Sequence, residues 1–391
     1  MTATQHYLTT TAGDIEAFRN SVAHSTDLAD YPLATAVEQN ALVYSRATVL
    51  DACRTPAGRQ QLMAEWITVW SDGPGILIIS QAMDEQVIDQ ATLLFTSIIE
   101  EQKKNKLGGG DHFAKAGTND RIWNALEKHS KRDSENFAQY YTNETIALAS
   151  EAWLGTGYQL TAQVNCVNPG ADAQAAHRDY HLGFMSAEQA AKYPLHVHRL
   201  SPVLTLQGAI AHCDMPLESG PTLYLPYSQN YPEGYLAFNR SEFQDYFNEN
   251  RSQPVLKKGD IVFFNPALMH AAGKNSSSNI SRLANLLQVS SAFGRGIESV
   301  NHQQIIESVY PALLKHKQSG SLSTQQLENI ICASTDGYPF PTNLDIDLPA
   351  DGLAPKSQRQ LATDSLEAEV SLQELKDILR DHQSRRQSNL V

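Results

Sequence analysis

Apolar residues in the first third of the chain recur with helical spacing around one short buried run. After Thr55-Pro56, Leu62, Trp66 and Trp70 return every four residues. That predicts a helix with Thr55 as N-cap and Pro56 in its first turn, stopping near Asp72-Gly73-Pro74-Gly75. Ile76-Leu77-Ile78-Ile79 reads as a buried strand. Asp84 caps a second helix, with Val87, Ile88, Ala91, Leu94, Phe95, Ile98 and Ile99 on one side and a break at Gly108-Gly109-Gly110. Residues 1 to about 60 read as mostly helical, as does 135–153. From Tyr158 the pattern changes to alternation. Thr161, Gln163 and Asn165 share one face by period two. Leu204–Cys213, Thr222–Leu225, Ile261–Phe264 and Ser281–Phe293 read as further strands. Helical patterning returns after about residue 297 and ends in an amphipathic stretch, Leu372–His382.

Short strands separated by turns, at intervals too short for strand–helix–strand crossovers, predict a sandwich or jelly roll. The expected class is an all-β core with α additions (α+β), with one catalytic domain. The expected division is an N-terminal helical extension over 1–65, a jelly-roll domain with helical support over 66–296, and a C-terminal helical extension over 297–391.

Composition adds exclusions. The net charge of −13 argues against a nucleic-acid surface. The four cysteines, Cys53, Cys166, Cys213 and Cys332, form no Cys-x-x-Cys pair, so neither a zinc knuckle nor a disulfide framework is expected. Met1–Gly13 has no basic-then-apolar signal pattern, and no apolar run approaches a bilayer span. The expectation is a cytoplasmic protein with no membrane partner and an open oligomeric state.

The candidate chemistry centres on His177-Arg178-Asp179. On an extended segment the histidine and the aspartate share a face, so both can grip one divalent ion. Such a pair is weak alone, and His212-Cys213-Asp214 is a second one. There the aspartate enters a Pro-containing loop and reads as a turn cap. His196-Val197-His198 reads as a segment with no metal role. The first pair gains weight from its company. Lys258-Gly259-Asp260 turns into the strand Ile261–Phe264, and His270 follows six residues later. Two histidines and one carboxylate make the facial set that leaves positions open on a non-haem iron. Arg282, twelve residues beyond, supplies the guanidinium a distal carboxylate needs in a partly buried pocket.

The order of these parts resembles the phytanoyl-CoA dioxygenase family of iron(II)/2-oxoglutarate-dependent oxygenases. The carriers are His177-x-Asp179, Ser219-Gly220-Pro221-Thr222-Leu223-Tyr224-Leu225-Pro226-Tyr227-Ser228, Lys258-Gly259-Asp260, His270 and Arg282, over roughly residues 66 to 295. The resemblance implies a double-stranded β-helix, a cupin-like jelly roll flanked by helices. It implies iron(II), 2-oxoglutarate as cosubstrate and O2. His177, Asp179 and His270 would hold the iron, and Arg282 the 5-carboxylate of 2-oxoglutarate. By strand parity Gln163 and Asn165, and less directly Thr222, are candidates to line the cosubstrate pocket, with a hydrogen-bonded core role as the alternative. The chain departs from the family's pattern at Tyr227-Ser228-Gln229, where Gly-Ser-His is common, and at Ala284, where a serine two residues after the arginine is common.

The expected activity is oxidation of a small organic molecule, foremost hydroxylation, with decarboxylation of 2-oxoglutarate to succinate. Asp179 argues for oxygenation over halogenation, because a halide ligand needs a small residue in its place. Desaturation and oxidative cyclisation remain open, as does a non-catalytic jelly-roll binding protein. A cupin-type metal enzyme without 2-oxoglutarate is disfavoured by Arg282. Basic residues in the loop before the barrel (His112, Lys115 and Arg121) read as an active-site lid or a solvated loop, and local basic residues near the pocket favour an anionic or zwitterionic substrate.

Overall fold

The computed structural model describes residues 6–105, 117–349 and 352–388. Ten strands appear among them: β1 (Ala36–Glu38), β2 (Ala41–Ser45), β3 (Ile76–Ser80), β4 (Asn119–Ile122), β5 (Gln159–Val167), β6 (Thr205–Ala211), β7 (Leu223–Leu225), β8 (Ile261–Phe264), β9 (Met269–Ala271) and β10 (Arg282–Ser290). Eight form one sheet in the order β1-β2-β3-β8-β6-β10-β5-β4. Only the β2–β3 pair in this sheet is parallel.

A smaller sheet holds β7 and β9, antiparallel, with Tyr224 opposite His270. Single bridges extend it on both sides, His177 to His270 and Tyr224 to Ser252. Four chain segments thus lie side by side at one rung, His177–His270–Tyr224–Ser252. Two sheets built this way, with helices packed outside, are the double-stranded β-helix of an α+β protein.

Alternation assigns the two faces of the large sheet. Leu160, Ala162 and Val164 of β5, Leu206 and Ile210 of β6, Ile261 and Phe263 of β8, and Leu287 and Val289 of β10 enter the main hydrophobic core. Helices cover that face, including Pro56–Ser71, Glu85–Lys104, Ser134–Tyr141, Glu144–Leu154 and His302–Ser319. The opposite face takes Ile78, Val262, Phe264, Ala209, Ala211 and Ala284, which pack with Tyr224 of the small sheet. On that inner face β6, β10 and β5 carry Gln207, Gln288 and Thr161 at one level, since Gln288 is in register with both of the others.

Two readings of the sequence are corrected. The first 60 residues are not mostly helical: β1 and β2 join the large sheet, with β2 paired to β3 from Leu42↔Leu77 to Ser45↔Ser80. Leu42 and Tyr44 face the core while Val43 faces inward, so the strand is buried on both sides and shows no alternation to read. The stretch 135–153 is two helices, because Asn143 caps the second through bonds from the Thr145 and Ile146 N–H groups.

The second His-x-Asp pair behaves as its loop context suggested. Asp214 accepts the Lys258 N–H at 2.9 Å, holding the turn into β8. His212 is buried in the main core. Its Nε2 lies 2.9 Å from the Tyr140 hydroxyl and its Nδ1 lies 2.8 Å from the Thr92 hydroxyl. Burial pushes its imidazole down to about 3. His198 is also buried, between the Tyr180 hydroxyl and the Ala190 carbonyl.

Candidate metal centre

His177 and His270 meet because they are direct cross-strand partners. Each N–H donates to the other's carbonyl, at 2.9 Å and 3.0 Å. Partners in such a pair project to the same side. The two rings lie 4.5 Å apart, centroid to centroid. His177 sits in no regular strand. It is extended because that one bridge holds it, and the Asp179 N–H, donating to Pro266 O at 2.9 Å, continues the extension. The i, i+2 argument therefore holds without the strand it assumed. Arg178, between them, points the other way into the interior, donating to the carbonyls of Ser228 and Ala267 under the Tyr235 ring.

One ligand atom from each of His177, Asp179 and His270 lies within 4.8 Å of the others. Asp179 Oδ1 is 3.5 Å from His177 Nε2, and Oδ2 is 3.4 Å from His270 Nε2. Both imidazoles are oriented by the same device. Nδ1 of His177 lies 3.0 Å from the Ala175 carbonyl, and Nδ1 of His270 lies 2.9 Å from the Leu268 carbonyl. A carbonyl only accepts, so each Nδ1 carries a proton and each Nε2 is the ring atom left to face a metal. Phe264 braces His270 edge-on, 4.8 Å between ring centroids. His270 is buried, while His177 and Asp179 are about one-third and one-fifth exposed, which opens the set on one side.

Asp179 is also held by Gln207, whose Nε2 donates to Oδ2 at 2.7 Å. Burial alone would raise the Asp179 carboxyl. A hydrogen bond from His270, positive charge on the His177 and His270 rings and the Gln207 amide outweigh it and hold the group well below the usual carboxylate range. Two neutral imidazole lone pairs and an ionised carboxylate are the donor set a divalent first-row metal takes. The residues therefore fit iron(II). Gln207 was missed in the sequence. Its signal was parity: it is the one amide on the inward positions 205, 207, 209 and 211 of a strand flanked by apolar residues.

Arg282 opens β10 with its side chain on the inner face, two residues before Ala284. It is 6% exposed, and burial pushes its guanidinium down to about 10. The groups acting on it are the thiols of Cys213 and Cys166 and the phenol of Tyr224; no carboxylate is among them. Among the described residues nothing accepts a hydrogen bond from it. A buried cation without a counter-ion fits an anionic end of a ligand.

The other sequence candidates are placed as follows. Gln163 faces inward, but its Oε1 accepts from Arg121 at 3.0 Å, so its oxygen end has a protein partner. Asn165 faces inward beside Ala284 and takes a 3.5 Å contact from Asn119. Thr222 precedes β7, two residues before Tyr224. His112 and Lys115 lie outside the described residues.

A family model described as "Phytanoyl-CoA dioxygenase (PhyH)" matches residues 71–284. A search of curated proteins finds no match. Among solved structures, the carbocyclase SnoK from nogalamycin biosynthesis, described as non-heme and alpha-ketoglutarate-dependent, is 17% identical with a TM-score of 0.44, covering 73% of this chain and 96% of its own. The epimerase SnoN from the same biosynthesis is 18% identical with a TM-score of 0.40, covering 61% and 84%. HygX from Streptomyces hygroscopicus, with nickel and 2-oxoglutarate bound, is 13% identical with a TM-score of 0.40, covering 61% and 90%. Likenesses this distant transfer no substrate or residue role.

Proposed function

Because the chain belongs to the phytanoyl-CoA dioxygenase family of iron(II)/2-oxoglutarate-dependent oxygenases, we propose that it hydroxylates a small organic molecule at the His177/Asp179/His270 centre while 2-oxoglutarate becomes succinate and carbon dioxide. The observation that carries this reading is the convergence of the three donor atoms within 4.8 Å. It is supported by the two Nδ1–carbonyl bonds that aim both lone pairs at one point.

Bound iron supplies the activation of dioxygen, with oxidative decarboxylation of 2-oxoglutarate driving it. The chain's own residues supply the geometry. His177, Asp179 and His270 would hold the ion, a three-donor set that leaves positions open to cosubstrate and dioxygen. Arg282 takes the far carboxylate of 2-oxoglutarate as a two-pronged donor. Gln207 keeps Asp179 from rotating. Phe264, Val262 and Ala209 keep the neighbouring wall apolar.

The test is succinate formation with iron(II), 2-oxoglutarate and oxygen, alongside anaerobic iron and 2-oxoglutarate titration. His177→Ala is expected to lose iron-dependent succinate formation. Arg282→Ala is expected to lose the weak visible charge-transfer band of the iron–2-oxoglutarate complex while still binding iron. Full turnover in His177→Ala overturns the assignment.

A further inference from the structure

Arg282 alone leaves a buried carboxylate short of donors. A carboxylate offers about four lone-pair directions, and a forked guanidinium fills two. The remaining directions need donors from elsewhere in a pocket closed to water, or the anion carries a desolvation cost.

The small sheet places such a donor. Tyr224 is the register partner of His270 on the side away from His177, so its side chain faces the same interior. It is 3% exposed and packs edge-on against Phe264 at 5.2 Å, the ring that braces His270. The cluster that holds it includes Ala284 and Cys213, the near neighbours of Arg282 on β10 and just beyond β6. Phenol and guanidinium are thus brought together from facing sheets. Their mutual influence is felt from both sides: Arg282 acts on Tyr224, and Tyr224 on Arg282. Thr222 sits one same-face step from Tyr224 and acts on the phenol. On β10 the position facing this pocket beyond Arg282 is Ala284, which has no polar atom to offer.

Resting on the reading above, we propose that Tyr224 donates its phenolic hydrogen to the distal carboxylate of 2-oxoglutarate alongside Arg282, with Thr222 orienting the phenol. Tyr224 then adds to the selection of a 2-oxo diacid over a 2-oxo monoacid that Arg282 begins. The small sheet acquires two tasks at one rung, metal ligation through His270 and cosubstrate selection through Tyr224. A phenylalanine at 224 keeps the ring contacts with Phe264 and deletes only the donor.

The experiment is anaerobic calorimetric titration of the iron(II)-loaded protein with 2-oxoglutarate and with 2-oxopentanoate, which carries a methyl group in place of the 5-carboxylate. Tyr224→Phe is expected to weaken 2-oxoglutarate about tenfold, the factor that 1.4 kcal/mol represents, and to leave 2-oxopentanoate unchanged. Thr222→Val is expected to show the same selective loss at a smaller factor. Equal weakening of both oxo acids means a structural role and overturns the proposal, as does unaltered 2-oxoglutarate binding in Tyr224→Phe. Should that variant not fold, unaltered 2-oxoglutarate binding in Thr222→Val overturns it. Arg282→Met separates the two levels. If 2-oxoglutarate binding is lost there but intact in Tyr224→Phe, only the phenol's role fails; if wild type itself does not bind 2-oxoglutarate, the oxygenase reading of the site fails first.

Discussion

Replacing Gln207 by leucine isolates what an amide behind the metal carboxylate does. The side chain is 5% exposed, and its Nε2 makes one bond, 2.7 Å to Asp179 Oδ2. Its Oε1 is buried without a partner among the described residues. Two terms in folding therefore oppose each other. Losing a hydrogen bond to a charged group costs about 1.5–3 kcal/mol, and removing an unpaired buried carbonyl returns about 1–3 kcal/mol. The side chains are close in volume, so no cavity term enters. The metal-free variant should be within about 1 kcal/mol of wild type in stability. Metal binding has no such offset. Without its amide, Asp179 is free to turn between the two imidazoles, and loss of an outer partner of a metal ligand weakens the metal about 10–100-fold. Anaerobic iron(II) titration against a competing chelator measures the second quantity, and urea denaturation of the metal-free protein the first. Iron affinity within twofold of wild type refutes the reasoning. So does a stability loss above about 3 kcal/mol, which would make Gln207 a packing residue.

Acid should destabilise the fold through His212. Burial holds its pKa near 3 against 6.5 for a free imidazole, so below pH 6.5 the unfolded chain takes up a proton the folded chain refuses; stability is full above that pH and falls as pH drops. Between pH 8 and pH 5 this group accounts for about 2 kcal/mol, so His212→Gln should show a loss over that interval smaller by that amount in urea denaturation at the two pH values, and equal losses would refute the assignment. Leu287, fully buried at the centre of β10, should cost about 2–5 kcal/mol as alanine in the same assay. Gly220→Ala should lower the melting temperature, because the residue has φ +69° and an added Cβ would run into the Lys274 carbonyl.

The centre of this protein was legible where local pattern and order coincide. β5 and β10 alternate in sequence because one face meets helices and the other meets the small sheet. His177, Asp179 and His270 stood out through spacing to a turn and a strand that flank them. What stayed hidden depends on contacts between distant segments. β2 was missed because burial on both faces erases alternation, and its partner β3 is about 35 residues away. Gln207 and Tyr224 carry no motif. The first becomes meaningful only when β6 lies opposite Asp179, the second only when β7 pairs with β9. Gln163 had the right parity, yet Arg121 takes the oxygen of its amide, and no one-dimensional pattern reports that.

The spatial order of the large sheet sets a schedule for synthesis. β3 is made early, but its neighbour β8 emerges some 180 residues later, and β6 finds both of its partners, β8 and β10, only after the chain has passed residue 290. Until then the inner wall has a gap at its middle, where β10 and its Arg282 belong. A nascent chain therefore holds exposed strand edges through most of its elongation. The Arg282 side of the site is a late product of translation, complete only when the last strand slides between two that have long been waiting.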